Sequence, residues 1–143
     1  MNFLRKKFSS YYFRPSIKFP NRFSRREYGF LFFNEGQMIR HVSFARREEL
    51  FSFLRRNVPA HVYYSSAYYE KPDAPTMAEK KWLGADLIFD LDADHIPGAK
   101  SMGYEGMLNA VKNELKKLLS FLIDDFGFEE RLSIFFSGGR GYH

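Results

Sequence analysis

The chain has 143 residues, of which 45% are apolar, and this length and composition suit one globular domain with a hydrophobic core. Aromatic residues make up 19%, which excludes a disordered composition, and the absence of cysteine excludes disulfides and Cys-based zinc sites within the chain. No run of about 18 consecutive apolar residues occurs, and Arg5, Lys6 and Lys7 stand where a secretory signal needs apolar residues. We therefore expect a cytoplasmic protein that does not enter a membrane.

The formal net charge is +5, which favours polyanionic partners because basic side chains release counterions condensed on phosphates. Eight basic residues crowd the first 26 positions, where they alternate with aromatic ones: Arg5, Lys6, Lys7, Arg14, Lys18, Arg22, Arg25 and Arg26. Two interpretations stay open. The segment either binds along a nucleic-acid strand or is a solvated helix whose aromatic residues pack on the core.

Apolar residues at helical spacing predict three helices. The helices are expected over residues 3–12, 46–56 and 107–122. Pro15 ends the first because it pushes Arg14 out of the helical region, Pro59 follows the second, and Gly127 follows the third.

β-rich or alternating runs predict five strands. The strands are expected over residues 27–33, 37–44, 60–69, 85–94 and 132–136. The first two form a hairpin around Asn34, Glu35 and Gly36, and residues 71–81 form a surface loop. The later order of strand, helix and strand fits a right-handed crossover, so the fold class is α+β, with a mixed sheet and flanking helices.

Asp90 and Asp92 are two positions apart on a predicted strand, so both carboxylates project from one face. Two close anions after an apolar run need a cation, and Mg²⁺ or Mn²⁺ prefers such oxygen ligands. Asp94 is left outside this metal set because it falls where a loop is expected to begin. The alternative interpretation of an isolated pair of this kind is a solvated strand end.

Residues 137–143 form a glycine-rich loop after a predicted strand. Their backbone N–H groups can approach phosphate oxygens, Arg140 can make charge-assisted bonds, and His143 adds an imidazole. The alternative is a tight glycine turn.

The segment 89–92 followed by residues 137–143 resembles the first two signature motifs of archaeo-eukaryotic DNA primase small subunits. The residues around Glu27 and Arg40 resemble the hairpin that lines that family's active site, so the resemblance covers about residues 11–143. It implies an incomplete primase-type catalytic core in which Asp90 and Asp92 bind catalytic Mg²⁺ or Mn²⁺. It also implies nucleotide-binding roles for five residues: Ser137, Arg140, His143, Glu27 and Arg40.

The function that the resemblance implies is that of a primosome DNA primase, a nucleotidyltransferase and DNA-directed RNA polymerase of DNA replication. A hydroxyl would attack the α-phosphate of a nucleoside triphosphate on a single-stranded DNA template. The implied partners are this template, nucleoside triphosphates and the primase large subunit, in the cytoplasm and at the nucleoid if the source is archaeal. The family's third metal-binding aspartate and its zinc motif are not found, so residues 1–143 are expected to be the N-terminal part of the catalytic domain and to need a downstream part of the subunit for activity.

Three functions other than a primase are compatible with part of these motifs. An end-joining-type polymerase of the same superfamily tends to have proline and lysine where this chain has Ala93 and Arg140, which favours a primase. A glycosyltransferase with paired aspartates does not account for residues 137–143. A non-catalytic nucleic-acid-binding fragment stays open.

Overall fold

The computed structural model describes residues 3–13, 18–33, 36–129 and 132–143. The chain divides into two compact units, Met1–Leu87 and Ile88–His143. The assignment of residues 1–143 to one catalytic domain stays a prediction.

Two helices of the first unit are close to their predicted positions. Helix α1 covers Phe3–Tyr12 and helix α2 covers Arg47–Asn57. The α2 N-terminus is capped because the Glu49 carboxylate accepts the Arg46 N–H at 3.3 Å, and the helix ends at Val58, whose φ of 48° is left-handed. The predicted stop at Arg14 and Pro15 lies outside the described residues.

A three-stranded antiparallel sheet contains the predicted hairpin. Strand β1 (Tyr28–Leu31) lies between β2 (Ile39–Val42) and β3 (His61–Tyr64). The hairpin pairing is confirmed, whereas its turn residues Asn34 and Glu35 lie outside the described residues. The sheet packs with α1 and α2 around a largely aromatic core: Tyr12, Phe23, Tyr28, Phe30, Phe44, Leu50, Leu54 and Val58.

The single strand predicted over residues 60–69 is wrong, because the chain changes sheets at Ser65. Residues after Ser66 form β4 (Ala67–Tyr69), which pairs with β5 (Trp82–Ala85) in a second sheet. The Ser65 hydroxyl donates to the Ala67 carbonyl at 2.7 Å, and the Ser65 carbonyl accepts from the buried Arg26 guanidinium at 2.6 Å. These bonds satisfy the polar groups of the bend that divides the two strands.

The prediction of a surface loop over residues 71–81 is also wrong at its end. A short helix, α3 (Met77–Lys80), begins after Thr76, whose hydroxyl accepts the Glu79 N–H. Lys80 is only 1% exposed. A lysine is rarely buried without an acidic partner, and this one has Glu27.

The second unit is built on one long helix, α4 (Tyr104–Asp124), as predicted. The strand predicted over residues 85–94 is too long, because only β6 (Leu91–Asp92) pairs with β7 (Gly141–Tyr142), and residues 86–90 lie outside the strands. Residues 132–136 likewise form one bridge, between Phe136 and Tyr142, instead of a full strand. Strand β7 has only two residues, so its pairing with β6 on one side and with Phe136 on the other stays short.

The small core of the second unit lies under this pairing. Ala93, Ala99 and Val111 are buried, and Leu91 and Tyr142 pack against them. Helices and small antiparallel sheets together confirm the α+β class. The predicted mixed sheet is wrong, since the strand pairs of the described residues are antiparallel. The two segments that the predicted crossover joins both pair antiparallel with β7 and so run in the same direction, and the right hand of the crossover stays a prediction. Within the described ranges, no helix is both long and apolar enough to cross a membrane.

Candidate active site

The two predicted metal ligands differ in their surroundings. Asp90 stands just before β6 and its side chain is 72% exposed, whereas Asp92 ends the strand and is half-buried. The Oδ1 atom of Asp92 is buried and has no hydrogen-bond partner among the described residues. An unsatisfied buried carboxylate oxygen is costly, so it points to a ligand that would complete it.

The glycine loop, residues 137–143, is folded by its own serine. The Ser137 hydroxyl oxygen accepts the Gly141 N–H at 3.1 Å and the Gly139 N–H at 3.4 Å. Gly138 takes a φ of +83°, which a side chain would disfavour. Ser137 therefore shapes the loop, and its hydroxyl hydrogen is left to donate.

The pairing of β6 with β7 places the glycine loop beside the acidic residues 90–94. His143 Nε2 lies 3.3 Å from Asp90 Oδ1. Arg140 contacts Asp94 through two nitrogen–oxygen pairs, at 3.0 and 3.1 Å. The predicted nucleotide-binding side chains of Arg140 and His143 thus lie against the carboxylates of Asp94 and Asp90 in the second unit.

The donors present fit a divalent cation. Asp92 offers a buried oxygen that no other described residue contacts by a hydrogen bond, and Asp90 adds an exposed carboxylate two residues away. No cluster of three His, Cys, Asp or Glu suited to a metal occurs among the described residues. Two carboxylates with open coordination positions suit Mg²⁺, which keeps several waters and takes further ligands from substrate phosphates.

Glu27 and Arg40, also predicted nucleotide-binding residues, meet in the first unit. Glu27 is 6% exposed, and its Oε1 accepts the His41 N–H at 3.0 Å and Arg40 Nε at 3.3 Å. Lys80 Nζ lies 3.4 Å from the other carboxylate oxygen and also donates to the Pro72 carbonyl.

These contacts keep Glu27 ionised. Burial by itself raises the pKa of Glu27, but the His41 N–H bond and the charges of Lys80 and Arg40 outweigh it, so the pKa lies below its ordinary value. The first unit therefore holds a buried carboxylate with two cationic partners.

Sequence reasoning missed two residues of these clusters, Lys80 and Tyr104, and it left Asp94 outside the metal set without a further role. Lys80 gave no signal, because it falls in a polar, proline-containing stretch typical of loops. Asp94 continues the spacing of two that Asp90 and Asp92 set, and that spacing was the available signal. Tyr104 begins α4, and its hydroxyl donates to the Gly139 carbonyl at 3.1 Å.

Comparison with known proteins decides the family. The family model of the DNA primase small subunit matches residues 89–143, the segment that carries the acids and the glycine loop. Over 99% of its length, the chain is 53% identical to the DNA primase small subunit PriS of Methanoregula boonei. It is 54% identical, again over 99%, to that of Methanothrix thermoacetophila, and 53% identical over 95% to that of Picrophilus torridus.

The chain belongs to the DNA primase small subunit family. It covers 38%, 37% and 37% of these three archaeal relatives, and thus spans less than two fifths of their length. It corresponds to their N-terminal part. Glu27 and Arg40 lie outside the segment matched by the family model but inside the alignments with the relatives.

Proposed function

We propose that the chain is the N-terminal part of a DNA primase catalytic subunit, which synthesises short primers on single-stranded DNA by metal-dependent nucleotidyl transfer. One observation carries the metal-dependent step: the buried Asp92 Oδ1, which has no hydrogen-bond partner among the residues that the structure describes, lies on the strand that pairs with the glycine loop. Membership of the primase small subunit family supports the reaction class.

The glycine loop would bind the triphosphate. Arg140 supplies charge-assisted hydrogen bonds, and His143 can donate another to a phosphate oxygen. Backbone N–H groups of a glycine-rich loop can approach the same anion closely. The exposed side chains of both residues leave them accessible to a ligand.

Asp90 and Asp92 would hold Mg²⁺ or Mn²⁺ against that triphosphate. Divalent ions bound there would lower the pKa of the attacking hydroxyl and neutralise charge on the pyrophosphate that leaves. Since the described residues offer two carboxylate ligands, we propose that primer synthesis also needs ligands from a later part of the subunit.

We also propose that Glu27 and Arg40, which contact each other in the first unit, bind nucleotide. The Glu27 carboxylate holds the guanidinium of Arg40, whose side chain is 57% exposed and can donate to a ligand. Lys80 neutralises Glu27 from the buried side and so fixes the carboxylate in place.

The first unit also suits the template. Residues 1–87 contain 16 basic and 8 acidic residues, a net charge of +8, whereas residues 88–143 contain 6 and 9, a net charge of −3. The positive charge of the first unit attracts a polyanion. The negative charge of the second unit favours the binding of a cation. The primase large subunit is the further partner that we propose.

A chimera tests the function. Residues 1–143 would replace the aligned part of the Methanoregula boonei relative, and primer synthesis would be followed on single-stranded DNA with Mg²⁺ or Mn²⁺. We expect synthesis by the chimera and none after Asp90→Ala or Asp92→Ala. Activity that survives either substitution in a folded chimera contradicts the metal assignment. The chain alone should make no primers, and robust template-dependent synthesis by it would contradict the need for later ligands.

A further inference from the structure

The pair formed by Arg140 and Asp94 has the geometry of a fork. Arg140 Nη1 lies 3.0 Å from Asp94 Oδ1, and Arg140 Nη2 lies 3.1 Å from Asp94 Oδ2. Two parallel contacts fix both the position and the plane of a guanidinium, which a single contact does not.

The backbone places the two residues in register. The Ala93 N–H donates to the Arg140 carbonyl at 3.3 Å, and Ala93 is 2% exposed, which anchors the residue before Asp94 in the core. On the other side, the Tyr104 hydroxyl holds the Gly139 carbonyl, just before Arg140. Asp94 and Arg140 therefore extend from two anchored segments toward each other.

The pair contributes little to the stability of the fold. The side chains of Arg140 and Asp94 are 53% and 41% exposed, so water screens their attraction. The pairing instead selects one orientation for a long, flexible side chain. A guanidinium has five N–H donors, and two contacts leave three of them for a ligand.

Resting on the proposed function, we infer that Asp94 is a positioning residue of the triphosphate site, which holds the Arg140 guanidinium so that its remaining N–H groups meet a bound phosphate. The carboxylate does not attract the anion, because two negative groups repel each other. Its effect passes through Arg140, and an uncharged acceptor at position 94 retains part of it.

The test uses the 143-residue chain with Mn²⁺ and inorganic triphosphate, whose dissociation constant is measured by calorimetry. Asp94→Ala should weaken binding about tenfold, a coupling of ordinary size for contacting residues. Asp94→Asn, which keeps one acceptor oxygen, should recover part of the affinity. The matched control is Glu114→Ala, which removes a carboxylate of similar exposure that pairs with Lys117 on α4, and it should leave the affinity unchanged.

A double-mutant cycle decides whether the effect passes through Arg140. In an Arg140→Ala background, Asp94→Ala should cause no further loss. Equal losses in both backgrounds overturn the inference, and so does a loss of affinity for Mn²⁺ alone as large as that of Asp90→Ala, which would make Asp94 a metal ligand.

A second readout is independent of ligand binding. Relaxation of the Arg140 Nε–H by nuclear magnetic resonance should show an ordered side chain in the parent chain and a mobile one in Asp94→Ala. If the parent chain binds no triphosphate, the triphosphate site proposed for the glycine loop fails in this chain. The relaxation measurement still tests the positioning, because an Arg140 side chain that stays equally ordered without Asp94 contradicts it.

Discussion

Gly141 lies so close to Leu91 that a Cβ atom on the glycine would stand 2.1 Å from the Leu91 carbonyl oxygen. No real side chain tolerates that distance, and the atom in the way belongs to the backbone of β6, which cannot rotate aside. The pairing that brings the acids to the glycine loop therefore requires glycine at position 141.

Gly141→Ala should separate β7 from β6 and abolish binding of Mn²⁺ and triphosphate together. Overpacking of this kind costs about 1–3 kcal/mol, and here it acts on a ladder of only two residue pairs. Hydrogen exchange at the Ala93 and Tyr142 amides measures the separation. Gly139→Ala is the matched control, because the atom nearest to an added Cβ there is the Ser137 hydroxyl oxygen at 4.0 Å. Equal protection of these amides from exchange in the two variants would contradict the requirement for glycine at position 141.

Glu27→Gln should destabilise the first unit at neutral pH by about 3–5 kcal/mol, since the buried Lys80 ammonium loses its acidic partner. Urea unfolding followed by the fluorescence of Trp82, the single tryptophan, measures the change. Glu70→Gln is the control, because the Glu70 pair with Lys81 is exposed and should be worth at most about 1 kcal/mol.

The same pair predicts a pH dependence. The folded-state pKa of Glu27 is lower than its ordinary value, so the unfolded chain binds the proton more tightly. The stabilisation by Glu27 is then fully present above the unfolded pKa of about 4.3 and is lost as the pH falls through the folded value. The difference between the parent chain and Glu27→Gln should shrink below about pH 4, and a difference that is constant from pH 7 to pH 3 would contradict this.

Sequence patterns predicted α1, α2 and α4 well, because each of these helices buries one apolar face and the spacing of its own residues shows that face. The ends of the strands were less predictable, because a strand extends only as far as a neighbouring strand offers backbone hydrogen bonds. The run over residues 85–94 alternates like a strand, yet β7 pairs with Leu91 and Asp92 alone. The break at Ser65 depends on bonds to Arg26 and Glu27, nearly 40 residues earlier, which periodicity does not encode.

In the candidate site too, local sequence predicted some features, and contacts with distant residues decided the others. The motifs indicated the acids and the glycine loop because hard carboxylates and flexible glycines are chemically distinctive. Lys80 was missed because its burial follows from the position of Glu27, not from its own neighbours in sequence. Whether Asp90, Asp92, Ser137, Arg140, His143, Glu27 and Arg40 bind metal and nucleotide stays a prediction.

Asp92→Asn should stabilise the metal-free chain slightly, or leave its stability unchanged, because it neutralises a carboxylate whose buried Oδ1 has no hydrogen-bond partner in the described part of the chain. It should also weaken Mn²⁺ binding strongly, since an amide is a poorer ligand than a carboxylate. Thermal unfolding with and without Mn²⁺ reports both effects. A shift of the unfolding temperature by Mn²⁺ as large as in the parent chain would show that Asp92 is not a ligand.

Arg140→Ala and His143→Ala should raise the KM of the chimera for nucleoside triphosphate and change kcat less, because both residues bind phosphate in the ground state as well as in the transition state. Steady-state primer synthesis at varied nucleotide concentration separates the two constants. Lys117→Ala, on the exposed side of α4, serves as the control. KM and kcat that match the parent values in both variants would make the loop structural only.

The most direct measurement of the central claim is calorimetric titration of the 143-residue chain with a nucleoside triphosphate, with and without Mn²⁺. We expect binding that depends on Mn²⁺ and that falls at least tenfold in both Asp92→Asn and Arg140→Ala, because the metal and the loop would hold the same triphosphate. Binding of equal strength without the metal, or affinity that neither substitution lowers, would contradict a site made of the acids and the glycine loop.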